Sequence, residues 1–231
     1  MIRIFFQRLA SLFFPPLCLC CNRGLSPDNQ AYICFDCLAE LPYTDFHELP
    51  ENQIHDRLMG RIPLVYGGAY FYYQPNSKAQ QLIHALKYYQ RPEIGEEMGQ
   101  HYGSQLKVVN QLCDLDYIIP VPLHPKRQHE RGYNQAEKIA VGLANVLEVD
   151  VLNQGLRRQS FEASQTKKGR DERIKNVANT FTIGQYDLSG RHILLVDDVL
   201  TTGATLESCS DAILAAYPDA RISLVVLGFV A

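Results

Sequence analysis

From Asp116 to the last residues the chain repeats one rhythm, a short and almost wholly apolar run followed by a longer stretch with helical periodicity. The runs are "DYIIPVP", "HILLVD" and "RISLVVLGFV", and the helical stretches between them are "NQAEKIAVGLANVL" and "TLESCSDAILAAY", the latter stopped near Pro218. Upstream, Leu64 to Tyr73 reads as a strand. Ser77 can cap a helix to about Tyr89 with Ala79, Ile83 and Leu86 on one face, and another helix follows Pro92 to about Lys107. A strand that stays apolar at every position must be covered on both faces. The rhythm therefore predicts an α/β fold, a mostly parallel sheet flanked by helices. A chain of 231 residues that is 46% hydrophobic can bury one such domain and carry a small appendage.

Ligands of these sheets bind beyond the carboxyl ends of the strands. At one such end stands "ILLVDDVLTTGAT", Ile193 to Thr205, where an apolar strand delivers two adjacent carboxylates and then a turn of small residues entering a helix. Backbone N–H groups at a helix N-terminus, joined by the hydroxyls of Thr201, Thr202 and Thr205, suit a phosphate. Asp197 and Asp198 cannot face that same anion, so they should take hydroxyl groups, with magnesium beside the ligand. Together these groups ask for a sugar phosphate. Gly203 serves a positive φ or a close backbone approach. An Asp-capped turn without a ligand would account for one acid and one glycine, and would leave the second acid and three hydroxyls idle.

Five of the seven cysteines lie between residues 18 and 37. Cys18, Cys21, Cys34 and Cys37 form C-x2-C-x12-C-x2-C, two knuckles whose thiolates can converge on one tetrahedral zinc ion. With four protein ligands such a zinc is structural, and it would fold a segment too short to bury a core. Disulfides are the alternative, weakened by the lack of a convincing export signal, and Cys20 leaves the exact ligand set open. The N-terminal "MIRIFFQRLASLFFPPLC" is interrupted by Gln7 and Arg8 and reads as a short amphipathic docking helix of a cytoplasmic protein. No stretch reaches the length of a membrane span. The net charge of −3 argues against a surface that coats nucleic acid as a whole.

"ILLVDDVLTTGAT" resembles the phosphoribosyl pyrophosphate motif of type I phosphoribosyltransferases. The blocks "IIPVPLHPKRQHERGYNQAEKIA", "RRQSFEASQTKKGRDERIKNVANTF" and "LIHALKYYQRPEIG", with the four-cysteine N-terminus, are similar to the ComF family, which includes GntX-like proteins. The resemblance runs from about Pro15 to the end. It implies residues 1–60 as N-terminal helix, zinc ribbon and connector, and residues 61–231 as a phosphoribosyltransferase-like domain. It also implies ribose hydroxyls for Asp197 and Asp198, with Thr201, Thr202, Gly203, Ala204 and Thr205 wrapped around the 5-phosphate. "PVPLHPKRQHERGYNQ" sits where this fold has its pyrophosphate loop, with Arg131 the first choice for a diphosphate contact and Gly132 allowing close approach. The basic stretch from Arg157 to Lys175, which includes Gln165, Thr166 and Arg173, corresponds to a loop that closes over the diphosphate. Lys87, and less strongly His84, could reach the same cleft from the "LIHALKYY" helix.

Two functions follow. One is a phosphoribosyltransferase-like protein that binds phosphoribosyl pyrophosphate or a related ribose phosphate with magnesium and is linked to natural competence and DNA uptake. The other is a non-catalytic adaptor that handles single-stranded DNA alongside competence proteins. No general base stands out, so the acceptor is unnamed. Aromatic residues are not interleaved with the basic ones, so no stacking platform is legible.

Overall fold

The computed structural model describes residues 16–26, 31–49, 51–159 and 181–231. The expected N-terminal helix, and the basic loop beyond Gln159, lie outside the described residues. Five parallel strands form the central sheet: β1 (Leu64–Tyr72), β2 (Tyr117–Pro120), β3 (Asp150–Val151), β6 (His192–Leu200) and β7 (Arg221–Phe229). Their order is β1-β7-β6-β2-β3, with β6 in the middle. A separate antiparallel pair joins β4 (Leu156–Arg158) to β5 (Phe181–Ile183).

The helices are α1 (Phe35–Ala39), α2 (Gln53–Leu58), α3 (Lys78–Tyr88), α4 (Glu93–Leu106), α5 (Pro125–Arg131), α6 (Gln135–Leu147) and α7 (Ala204–Ala216). Side chains alternate across the strands, and both faces are buried. Ile118, Leu194, Val196 and Val225 join one hydrophobic cluster with α3, α4 and α6, and Ile119, Ile193, Leu195 and Leu224 join another with α2 and α7. Coverage of both faces explains why these strands read as unbroken apolar runs. Cys18, Ile33, Cys37 and Leu41 belong to the first cluster, so the cysteine segment packs on the main core.

Three local outcomes differ from the sequence expectations. The strand expected to end at Asp197 continues to Leu200, because β6 keeps pairing with β7 as far as Leu200–Phe229. The expected proline-stiffened loop is helix α5, with Pro125 in its first turn, the His124 side chain capping the Lys126 amide, and Gly132 closing it at φ +79°. The polar connector gives way at Gln53 to helix α2, capped by Asn52, whose Ile54 and Leu58 are fully buried.

Helices α4 and α6 meet backbone to backbone. Gly99 and Gly142 stand at the contact, where a methyl on Gly99 would lie 2.4 Å from the Ile139 carbonyl oxygen and one on Gly142 2.2 Å from that of Glu96. Lys138 and Glu96 form an ion pair across the seam at 3.1 Å.

Candidate functional site

After β2 the chain leads away to β3, whereas after β6 it leads to β7 on the opposite side. The two connections diverge, and a crevice opens beyond the carboxyl ends of β2 and β6, the position where sheets of this kind bind ligands. Residues of both strand ends line a pocket of about 170 Å³ there: Val121 and Pro122 after β2, and Asp197, Asp198 and Thr205 at and beyond β6. Lys87 of α3, Arg127 and Arg131 of α5 and Arg158 of β4 complete its charged lining. Asn134 builds the floor by capping α6 through the Ala136 amide at 3.1 Å while donating to the Val121 carbonyl at 3.0 Å.

The structure thus brings together five of the candidate site residues, Lys87, Arg131, Asp197, Asp198 and Thr205. Thr201, Thr202, Gly203 and Ala204 form the turn between β6 and α7, with Thr201, Thr202 and Ala204 exposed and Gly203 buried. Gly132 lies at the end of α5, outside the pocket lining, with nothing within 4 Å of the place its Cβ would occupy. His84 points elsewhere and packs against Tyr88 and Tyr89.

The paired acids are unequal. Lys87 Nζ lies 3.1 Å from Asp198 Oδ2, a close ion pair. Asp197 accepts the Asp198 amide at 2.8 Å and, among the described residues, has no direct cation partner. Burial pushes its carboxyl up to about 7, and the neighbouring Asp198 carboxylate adds to the rise, against opposition from the Asp198 amide, Lys87 and Arg158. Lys87 therefore compensates Asp198, while the Asp197 carboxyl, raised by burial and by its neighbour, is left for another partner, an arrangement suited to receiving hydroxyl groups.

The turn ends in Gly203 at φ +81°, which is also the N-cap of α7 and leaves that helix without a side-chain cap. A Cβ on Gly203 would come within 2.5 Å of Leu58 Cδ2, so both of the reasons expected for this glycine operate. Thirteen residues of α7 stand behind the turn and orient their dipoles toward it, with the Ala204 amide donating to Thr202 Oγ1 at 3.4 Å.

A second cavity, about 550 Å³, adjoins the first and shares Lys87, Arg127 and Arg131 with it while adding Tyr88, Gln90 and Glu130. The Arg131 guanidinium lies 5.5 Å from the centre of the Tyr88 ring. Tyr88 and Tyr89 are both largely exposed. Aromatic and basic groups far apart in sequence, Tyr88 and Arg131, are therefore neighbours here, a proximity that was not legible. Proximity in the fold, with no sequence motif to carry it, is what hid this neighbourhood, whereas Arg158 belongs to the basic stretch expected over the diphosphate.

At the N-terminal segment the sulfurs of Cys18, Cys21, Cys34 and Cys37 all lie within 4.8 Å of one another, with Cys21 and Cys34 3.7 Å apart. A tetrahedral zinc with bonds of about 2.3 Å needs sulfurs spaced roughly 3.8 Å apart. The Cys34 amide donates to Cys18 Sγ at 3.3 Å and the Cys37 amide to Cys34 Sγ at 3.5 Å. Such donors stabilise thiolates. Cys20 is outside the group, its sulfur directed at the Lys78 carbonyl, so the sulfurs that gather are those of the two C-x2-C pairs. The four cysteines can hold a zinc ion as a structural ribbon.

The crevice lies in a doubly covered parallel sheet, with an acid pair at its switch point and a glycine-led helix N-terminus, and residues 134–229 match the model of the phosphoribosyl transferase domain. The chain is similar to proteins named for competence and DNA utilization. Competence protein F of Haemophilus influenzae is 37% identical over 106 residues, 45% of this chain and 46% of that one. DNA utilization protein YhgH of Escherichia coli K12 is 29% identical over 136 residues, 58% of this chain and 60% of that one. Competence protein ComFC of Bacillus subtilis is 26% identical over 212 residues, 91% of this chain and 77% of that one. The first two matches thus span about half to three-fifths of those relatives' lengths. Among the described residues no helix is long and apolar enough to cross a membrane.

Proposed function

We propose that the protein binds phosphoribosyl pyrophosphate, or a related ribose phosphate, in the crevice between β2 and β6, and acts in the cytoplasm in natural competence and DNA uptake. The carrying observation is the placement of Asp197 and Asp198 between an uncapped helix N-terminus and the cations Lys87, Arg131 and Arg158. In this reading the acids take the ribose hydroxyls and the turn from Thr201 to Thr205 takes the 5-phosphate. Arg131, with Arg127 beside it, takes the diphosphate bidentately. Two carboxylates, one of them already held by Lys87, are too few for an all-protein magnesium cage. They suit an ion carried mainly by the ligand's phosphates and water.

If transfer occurs, diphosphate leaves the ribose through an oxocarbenium-like state, and the protein contributes orientation and fixed charge. Calorimetric titration with phosphoribosyl pyrophosphate and magnesium tests the pocket, and turnover with a panel of acceptor bases tests the enzyme. Absence of heat in the wild type, with no change in Asp197→Asn or Asp198→Asn, would sink the reading. For the ribbon the expected result is one zinc per chain, lost in Cys34→Ser; oxidised cysteines without metal would count for disulfides.

A second reading, a single-stranded DNA adaptor, is favoured by the exposed Tyr88 beside Arg127 and Arg131, since bases stack on aromatic rings next to cations. The relatives' names accord with it. Salt-sensitive binding of an oligothymidylate that weakens in Tyr88→Ala is expected, and equal binding by the variant would remove Tyr88 from the account.

A further inference from the structure

We infer that Arg57 and Arg61, at the end of α2 and just beyond it, are positioning residues for the turn after β6, holding its carbonyls to one side so that its amides stay open to an anion on the other. The inference rests on reading that turn as the phosphate site. Arg57 Nη1 donates to the Thr201 carbonyl at 2.9 Å, and Arg61 Nη1 donates to the Thr202 carbonyl at 2.7 Å. In a trans peptide the C=O and the following N–H point in opposite directions. Fixing the carbonyls of Thr201 and Thr202 toward α2 therefore fixes the amides of Thr202 and Gly203 away from it. Among the described residues neither of those amides meets a protein acceptor.

Each guanidinium has a second anchor that prevents it from drifting. Arg57 lies 4.4 Å from the centre of the Phe229 ring and also donates to the Val230 carbonyl. Arg61 pairs with Glu207 on the first turns of α7 at 2.5 Å. Leu58, buried between the two arginines in sequence, supplies the surface on which Gly203 rests. One face of α2 thus forms a template: two forks that grip carbonyls and an apolar floor that only a glycine can approach. The planar five-donor guanidinium suits such double anchoring better than an ammonium does.

The test uses the full chain and two readouts on Arg57→Ala, Arg61→Ala and Arg61→Lys. Amide hydrogen exchange of residue 207, whose N–H closes the first turn of α7 on the Gly203 carbonyl at 2.9 Å, should speed up without ligand in the alanine variants while the amides of β7 keep their wild-type protection. Calorimetry with phosphoribosyl pyrophosphate and magnesium should show an affinity loss of about tenfold for Arg61→Ala, the scale of one charge-assisted hydrogen bond. Arg61→Lys should recover part of both, because an ammonium can still reach the Thr202 carbonyl. Should an alanine variant fail to fold, Glu207→Gln releases the second anchor of Arg61 and should produce the same two changes in smaller measure. Unchanged exchange overturns the positioning role whatever the ligand does. Lost affinity with unchanged exchange means the arginine touches the ligand itself, and also overturns it. A loosened turn with wild-type affinity severs the turn from phosphate. A wild type that does not bind at all sinks the phosphate reading, a failure visible before any variant is compared.

Discussion

At its amino end β6 begins with His192, whose buried ring is held between Asp114 at 2.8 Å and Ser223 at 2.8 Å; at its carboxyl end it reaches Asp197 and Asp198. Both ends carry a cluster of acids and bases, yet their electrostatics run in opposite directions. Asp114 is drawn down to about 2 by its hydrogen bond with Arg221 and then by His192, and Asp116 is lowered by the His192 amide and by Arg191. Asp197 is pushed up to about 7 by burial and its neighbour. Where each acid has a donor, the cluster fastens strands together; where an acid is buried beside another acid, the protein holds a charge in reserve for something else. The Asp114–His192–Ser223 chain has the connectivity of a hydrolytic triad, but Ser223 is 0% exposed and His192 1%, so no substrate reaches it. It is a clasp.

Breaking the carboxyl end should give the largest effect. Asp197→Asn with Asp198→Asn is expected to reduce affinity for phosphoribosyl pyrophosphate by about a hundredfold or more, two charge-assisted contacts' worth, without lowering the melting temperature. The pH dependence sharpens the same point. Between pH 3.8 and about 7 the folded chain keeps a proton on Asp197 that the unfolded chain has shed, so this group's contribution to stability falls as pH rises through that window. Asp197→Asn should remove that slope, as thermal melts across the range will show.

The amino end should answer the other way. Asp114→Asn is expected to lower the melting temperature at neutral pH and leave ligand affinity unchanged. The stabilisation from Asp114 is present above pH 3.8 and lost as pH falls toward about 2, so the acid limb of the melt should flatten in the variant. Next in size, Lys87→Met leaves Asp198 without its cation and should weaken the ligand by about tenfold in calorimetry, with little change in stability. Smallest, Ser223→Ala removes one buried hydrogen bond and should cost about 1 kcal/mol in denaturant unfolding with no effect on binding. A Ser223→Ala protein that lost ligand affinity would erase the contrast between the two ends.

Much of the fold was legible because it depends on local pattern. Continuous apolar runs announced β6 and β7, Ser77 and Asn134 announced helix starts, and the cysteine spacing announced the knuckle. Asp197, Asp198 and Gly203 stood out because their polarity and smallness interrupt a strand that had no local reason to stop. What could not be read depends on partners distant in the chain. Arg57 and Arg61 look like ordinary surface arginines until α2 lies across a turn some 140 residues later. Tyr88 meets Arg131 only because α3 and α5 flank one crevice. The HPKRQHER stretch reads as a loop on its proline, although proline in a first helical turn is well tolerated.

The seam between α4 and α6 bears on how such a chain can change over generations. Glu97 on α4 accepts the Tyr32 amide of the cysteine segment, and α6 starts at Asn134 on the pocket floor, so this helix pair spans the distance from one to the other. At Gly99 and Gly142 even alanine is excluded by carbonyl oxygens, which inverts the usual order of mutational tolerance: the smallest residues are the least replaceable, and their bulky neighbours are freer to vary. The pair behaves as a gauge block. Substitutions on its outer coat should leave the span between cysteine knuckle and crevice unaltered, whereas any at the two glycines should change it.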